Sequence, residues 1–560
     1  MIVKMRHFDL VCVASEREAT LERLRQLGIA HLDLTSASGA EVSAAKDRVA
    51  DAERAVRLIR KARVRGDEPG TRERTVEEVL SVDRDRGGLQ SEAERLEREI
   101  RLYEPYGDFD PALAQRLMEK GVDIHALGGE TPLFPAKLPA MRLGRMQEKL
   151  ARVRNRISID DAKLADCDEA FILKKFPSLQ DRVAFCEAKE LLESHGAVAV
   201  LSGWVPVTLE KALVDEVTQS RADLFERTKS LGWGVLIRDA AEGERPPTLI
   251  EPPRLFRPMK ALFAGLGIAP AYTESDVSVP FMCYFSLFFA MLVGDGAYGA
   301  IFLLGALAMR KRLPRSWFVL LTVFSSATVL WGVLSNTWFG ASLPFLGGLP
   351  TAQWLSDPSY HNMMFLCFTI GVSHLMLARI WNGCCKLNDS TCVAEFGWAG
   401  ILLFMYLVTN AIVGIFPSVP AWGFVVLGVS LAAVFGFTVK PSDLKTRGAE
   451  LGMLPLSVMS ALGDIISYVR LFAVGLASVK VAENFNSMAT GLVSPGNAWW
   501  LNALLAVAMV LVLVVGHALN LAMAGLSILV HAVRLNTLEF SNHKGVSWAG
   551  YAFRAFARRS

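Results

Sequence analysis

The chain has 560 residues, and its 59 Lys and Arg nearly cancel its 56 Asp and Glu, leaving a formal charge of +3 at pH 7. So small an excess makes no case for nucleic-acid binding. A content of 52% hydrophobic residues with positive mean hydropathy excludes a single ordinary soluble domain. The averages conceal an asymmetry. Residues 1 to about 265 are rich in Glu, Arg, Lys and Asp, and long apolar runs dominate the rest. We therefore expect a soluble domain over 1–265 and a polytopic membrane domain over 266–560.

The opening MIVKMRHFDLVCVAS lacks the apolar core of a signal peptide, which places the soluble half in the cytoplasm. Residues 8–14 alternate apolar and polar and read as a strand. Residues 15–27 read as a helix, with Ser15 and Glu18 in the spacing of a capping box. Residues 29–34 read as a second strand, so a β-α-β unit is expected at the start. Charged helical stretches follow at about 39–64, 89–103 and 141–171. In the last, Leu143, Met146, Leu150, Val153 and Ile157 recur at steps of three and four. Such narrow stripes suit antiparallel coiled-coil arms, here a stalk or docking device. A strand at 197–201, a turn at 203–206 and a helix at 208–222 complete the soluble half. It holds neither a GxxxxGK[ST] loop nor a GxGxxG after a strand.

The eight cysteines form no CxxC pair, and no histidine stands near Cys384, Cys385 and Cys392 at zinc-finger spacing. Reduced, buried thiols are expected, with no metal site and no cofactor. No nucleophile–base pair stands out, so an enzyme is the least favoured class.

Apolar stretches fall at about 279–309, 315–339, 360–385, 391–416, 421–438, 455–490 and 498–540, and a spanning helix needs ~20 residues. The first is interrupted by Gly294-Asp295-Gly296-Ala297-Tyr298-Gly299, which suits a helical hairpin. Basic residues cluster at Arg310, Lys311, Arg312 and Arg315, at Arg379 and Lys386, and at Lys440, Lys445 and Arg447. A fourth group is Lys544, Arg554, Arg558 and Arg559. Segments 340–359, 417–420 and 491–497 carry no Lys or Arg. Cytoplasmic loops favour Lys and Arg, and all four clusters share the side of the soluble half only if 279–309 goes in and returns. Eight helices result, with the first two short and the C-terminus cytoplasmic.

Within the run ISYVRLFAVGLASVKVAENFN (466–486) stands Arg470. A guanidinium cannot escape the bilayer by neutralising. The cost of roughly 3 kcal/mol or more at mid-membrane marks a functional charge facing a bundle interior or wet path. On the last helix His517, Asn520, Ala524, Ser527, His531 and Arg534 follow at alternating steps of three and four and share one face. Interhelical hydrogen bonding would account for such a stripe, but two histidines and an arginine favour a hydrated ion path. Lys480 and Glu483, three apart, are either a neutralising pair or part of an outer access route. His374 reads as a packed polar residue.

SGWVP at 202–206, Pro246-Pro247-Thr248, Tyr272 and Asp276 form one set of marks. LFFAMLVGDGAYGAIF (287–302), SYVRLFAVGLA (467–477) and GLSILVHAVRLNTLEF (525–540) form another, and the last two motifs are the specific ones. Through them the chain resembles, over essentially its whole length, the a-type (I) subunit of bacterial and archaeal rotary V/A-type ATPases. The resemblance implies a stator without a catalytic site. Its membrane half would form two ion half-channels against a ring of c/K-type proteolipids, and the last two helices would be long and tilted. Arg470 matches the essential arginine, and Arg534 with His531 the second basic position. Asn520, Ser527, His517, Glu483 and Lys480 would line the ion route, with Asp295 and Tyr298 as half-channel or hairpin candidates. The small residues Ala473, Gly475, Ala477 and Ser478 would admit close approach of the ring.

The soluble half would be two α/β lobes joined by an antiparallel coiled coil. It would dock E/G-type peripheral stalks and the C/d-type central-stalk cap, beside H⁺ or Na⁺ as transported ion and membrane lipid. The chain departs from the family's pattern at Ala524, where many relatives have glutamate, at Ser478, and at Glu274-Ser275-Asp276-Val277. A self-contained secondary transporter with a regulatory arm is the alternative. It requires an internal repeat around a midplane site, and no repeat is visible.

Overall fold

The computed structural model describes residues 1–32, 39–63, 70–122, 124, 134–135, 137–225, 233–241, 243–439, 452–492 and 499–558. Two compact units emerge: Met5–Ala240 with the residues from Arg554 onward, and Met1–Lys4 with Ala241–Phe553.

The first unit holds a four-stranded antiparallel sheet in the order β2-β3-β1-β4. These strands are β1 (Met5–Val13), β2 (Glu193–His195), β3 (Val198–Pro206) and β4 (Gly234–Asp239). β1 pairs with β3 from Met5 opposite Pro206 to Val13 opposite Val198, and with β4 from Arg6 opposite Asp239. Phe8, Leu10 and Cys12 alternate onto one face, as the two-residue strand period requires. There they meet Leu21 and Leu24 of α1 (Arg17–Leu27) and Leu213 and Val217 of α7 (Val207–Phe225).

Three expectations fail here. Residues 29–32 add no strand: His31 makes a lone two-bond bridge to Trp204, and 33–34 lie outside the described residues. The expected turn at 203–206 is instead the end of β3. Pro206 is tolerated because it is the last residue of the strand. Nor does Ser15 cap α1, which begins at Arg17 behind a short 3-10 turn with no side-chain cap.

Between these strands run α2 (Ala40–Ala62), α3 (Val76–Tyr103), the short α4 (Pro111–Glu119), α5 (Leu143–Ala165) and α6 (Glu169–Leu191). α3 starts well before residue 89 because Thr75 and Glu78 form a reciprocal capping box. Leu150 and Val153 of α5 pack on Ala93 and Leu96 of α3, flanked by Lys149–Glu92 at 2.7 Å and Arg154–Glu97 at 2.8 Å. The expected single helix over 141–171 is broken. Asp166 and Asp168 exchange backbone hydrogen bonds with Arg72, and Asp168 then caps α6 through the Ala170 N–H at 2.8 Å.

The second unit is helical: α8 (Met259–Leu266), α9 (Ser278–Val293), α10 (Gly296–Ala308), α11 (Arg315–Ser335), α12 (Pro350–Leu355), α13 (His361–Cys385), α14 (Cys392–Ile412) and α15 (Ala421–Phe437). Then follow α16 (Leu454–Ile466), α17 (Val469–Leu492) and α18 (Trp499–Ser527). On length and composition the expected eight spans reduce to five among the described residues, or six with one bent pair counted as a span. That pair is α9 and α10, between which the chain bends by 120°. α15 is apolar but has only 17 residues, about 25 Å at 1.5 Å per residue. The core is aromatic, with Phe281, Phe285, Phe288 and Phe289 of α9 against Phe324 and Trp331 of α11. Beyond Ser527 the last helix continues as two π-helical segments, Ile528–Ala532 and Leu535–Phe540. The basic cluster Lys440, Lys445 and Arg447 lies outside the described residues, as does Arg559. All eight cysteines are free, but Cys283, Cys384 and Cys385 are exposed rather than buried.

Candidate functional site

Arg470 sits two residues past the junction of α16 and α17. Tyr468 at that junction is fully buried, and its hydroxyl pairs with His374 Nδ1 at 2.8 Å. His374 lies stacked against Tyr284 and Phe540, with ring centroids 4.1 and 4.5 Å away. Gly371 leaves room for the Tyr468 ring, which a Cβ there would meet at 2.6 Å. The packed histidine thus fixes the residue that aims the arginine.

Arg470 Nη1 donates to Glu539 Oε1 at 3.1 Å, and Arg534 Nε approaches the same oxygen at 3.4 Å. The Glu539 side chain is only 6% exposed, against 25% for Arg470 and 53% for Arg534. Glu539 was not singled out from the sequence because it falls off the stripe of three- and four-residue steps. The wider i→i+5 turn of the π segments brings residues five apart toward one face.

The remaining stripe residues divide. Asn520 is fully buried and donates to the Tyr298 hydroxyl at 3.1 Å and to the Ser478 carbonyl at 2.9 Å. The Tyr298 hydroxyl pairs with His517 Nδ1 at 2.7 Å, and His517 Nε2 with Asn486 Oδ1 at 3.1 Å. These are protein–protein bonds joining α10, α17 and α18. Ser527 and His531 are half-buried between this group and Arg534, and Ala524 is buried.

Asp295 is fully buried and accepts from the Ala297 N–H at 2.8 Å and the Gly340 N–H at 2.7 Å. It caps α10 and ties down the loop at 340, just after Gly294 has turned the chain at φ 70°. Replacing Asp295 by Ala leaves the buried Ala297 N–H and the partly buried Gly340 N–H without this partner, at roughly 1–3 kcal/mol for the buried one. A lowered thermal unfolding midpoint of the purified chain in detergent is expected, with Asp295→Asn milder.

Lys480 and Glu483 pair at 2.7 Å. They border a cavity of about 800 Å³ that also meets Asn336, Asp357, Leu471 and Gly475. The four small residues after Arg470 serve different neighbours. Gly475 and Ser478 face inward, where a Cβ on Gly475 would lie 2.4 Å from the Met291 carbonyl oxygen and Ser478 Oγ donates to the Val293 carbonyl at 3.2 Å. Gly475 and Ser478 therefore admit α9, and only Ala473 and Ala477 are exposed.

A second charged cluster went unnoticed in the sequence. Arg379, counted in the sequence among the basic clusters of the cytoplasmic side, lies within α13 and donates to Glu395 at 3.1 Å and to His543 Nδ1 at 3.1 Å. His543 Nε2 pairs with Asp464 at 3.0 Å, Lys386 with Glu395 at 2.7 Å and Lys544 with Asn382 at 2.7 Å. The available signal was an acidic residue inside three of the apolar runs (Glu395, Asp464 and Glu539), each of which needs a cation nearby. Among the described residues no group of three or more His, Cys, Asp or Glu is arranged to hold a metal ion.

Apolar helices of spanning length, with arginine and carboxylate brought together from two of them, define a polytopic membrane protein. The chain is 33% identical over 380 residues to the V-type ATP synthase subunit I of Borreliella burgdorferi, covering 64% of this chain and 60% of that protein. It is 25% identical to the V-type ATP synthase subunit I 1 of Treponema pallidum across 100% of both chains. With the A-type ATP synthase subunit I of Methanocaldococcus jannaschii the identity is 23%, over 81% of this chain and 66% of that one. No protein-family model matches. The chain is thus similar, along its whole length in one case, to V-type and A-type ATP synthase subunit I proteins of bacteria and archaea.

Proposed function

We propose that this chain is the membrane stator of a rotary V/A-type ATPase or ATP synthase, carrying no catalytic site of its own. The observation that carries the reading is Arg470. It is a permanent charge in an apolar helix, a quarter exposed beside the small, exposed Ala473 and Ala477. On α18 the apolar Leu504, Val507, Leu511 and Val514 are likewise exposed. A c/K-type proteolipid ring is the occupant proposed for this side.

A fixed cation favours the ionised form of a nearby carboxylate, so a ring carboxylate reaching Arg470 releases its H⁺ or Na⁺. At an effective dielectric near 20, charges ~4 Å apart interact by ~4 kcal/mol, enough to displace a proton and weak enough to let the ring move on. The same charge blocks direct leakage between two half-channels, with His517, Asn520, Ser527, His531, Glu483 and Lys480 along the ion route. Residues 1–265 would dock E/G-type peripheral stalks and the C/d-type cap on the cytoplasmic side, and 266–560 would translocate the ion. The test is to tag the chain, extract native membranes in mild detergent and identify what co-purifies. A small proteolipid recovered with ATP-hydrolysing and coiled-coil stalk subunits is expected. Recovery of the chain alone, in a detergent that keeps known complexes intact, would favour a self-contained transporter.

A further inference from the structure

Glu539 has no place in that account, yet it touches the residue at its centre. Its Oε1 receives Arg470 at 3.1 Å and lies 3.4 Å from Arg534, while its Oε2 is buried with no partner among the described residues. A buried carboxylate in an apolar helix is costly unless a cation compensates it. Here one carboxylate faces two guanidiniums from different helices, and its own side chain is the least exposed of the three.

We propose that Glu539 is the resident counter-ion of Arg470 and sets the net charge that an arriving carboxylate meets. The inference rests on the stator reading. Two guanidiniums and one carboxylate leave a single positive charge, which matches the single negative charge of one ring carboxylate. Each arginine carries five N–H donors, and Glu539 takes one contact from each. Arg470 meets Glu539 through Nη1, and its side chain is a quarter exposed. Glu539 is thus a positioning residue. It holds Arg470 from behind, on a π-helical turn that cannot follow the ring, and keeps Arg470 from facing the membrane unpaired when no ring carboxylate is opposite. Without its charge, two repelling guanidiniums would face each incoming carboxylate, bind it harder and release it more slowly.

The test uses the intact complex in inverted membrane vesicles. ATP-driven proton uptake is read by dye quenching, radiolabelled Na⁺ uptake in parallel, and both are normalised to the proteolipid recovered with the tagged chain. Glu539→Gln keeps shape and an acceptor oxygen but removes the charge, and uptake is expected to fall tenfold or more. Glu539→Asp, which keeps the charge, should retain most of it. The double variant R534Q/E539Q restores a single positive charge and should recover a large part of the loss, which a purely structural brace would not allow. Wild-type uptake by E539Q, or a double variant no better than E539Q, overturns the inference. Arg470→Gln in the same assay separates the two readings. If R470Q is inactive while E539Q is normal, only this inference fails. If R470Q pumps normally, the stator reading fails with it.

Discussion

Replacing Arg470 by Gln is expected to abolish ATP-driven ion uptake while leaving an assembled complex. Under the stator reading the guanidinium does two things that no neutral side chain can. It favours the ionised ring carboxylate, and it bars the ion from crossing between half-channels. An interaction of ~4 kcal/mol corresponds to a factor near a thousand at about 1.4 kcal/mol per decade, so residual uptake should fall to background. Assembly should survive because Glu539 keeps Arg534 at 3.4 Å and is not left as an unpaired buried charge. Arg470→Lys should recover little. An ammonium offers a compact point charge in place of a planar fork, and it loses its proton far more readily when buried. Glu539, placed for a guanidinium at 3.1 Å, would be reached by a different geometry. The measurement is uptake per recovered proteolipid in inverted vesicles, and undiminished uptake by R470Q would remove the central role assigned to this residue.

How much of this was readable beforehand depended on whether local chemistry or tertiary pairing decided the outcome. The kink between α9 and α10 is legible because Gly294 supplies the positive φ and Asp295 the cap, both within one short motif. Arg470 stands out in the sequence because a guanidinium in an apolar run cannot neutralise itself. Glu539 is not, since five residues from Arg534 is the wrong spacing on an α-helix, and nothing local in LNTLEF announces a π segment. The stripe through His517 and Asn520 is real as a face. What it meets depends on Tyr298 and Ser478, more than 200 and about 40 residues away in sequence. In the soluble unit Gly-Trp-Val-Pro has the composition of a turn, but pairing with β1 carries it on as strand. The helix expected over 141–171 is divided by a bridge to Arg72, which no periodicity within the helix could reveal.

Gly475 and Gly463 lie twelve residues apart on either side of Arg470, and substituting Ala at each should move stability in opposite directions. At Gly475 a Cβ would sit 2.4 Å from the Met291 carbonyl oxygen. Backbone meets side chain there, so no rotamer change relieves the contact, and α17 must move away from α9. Overpacking of this kind costs about 1–3 kcal/mol, against roughly 1 kcal/mol gained from Ala's helix propensity. At Gly463 a Cβ would meet nothing within 4 Å, so only the propensity gain remains. The purified chain in detergent should therefore unfold at a lower temperature for Gly475→Ala and at an equal or higher one for Gly463→Ala. Gly475→Val should prevent accumulation of folded chain. The functional consequence follows from position. Moving α17 off α9 displaces Ser478 from its bond to the Val293 carbonyl at 3.2 Å and shifts Arg470 relative to Glu539. Gly475→Ala should accordingly reduce ion uptake by more than its loss of folded complex explains. A proportional loss would mean that the close crossing of α17 and α9 supports the fold alone and has no part in aiming the arginine.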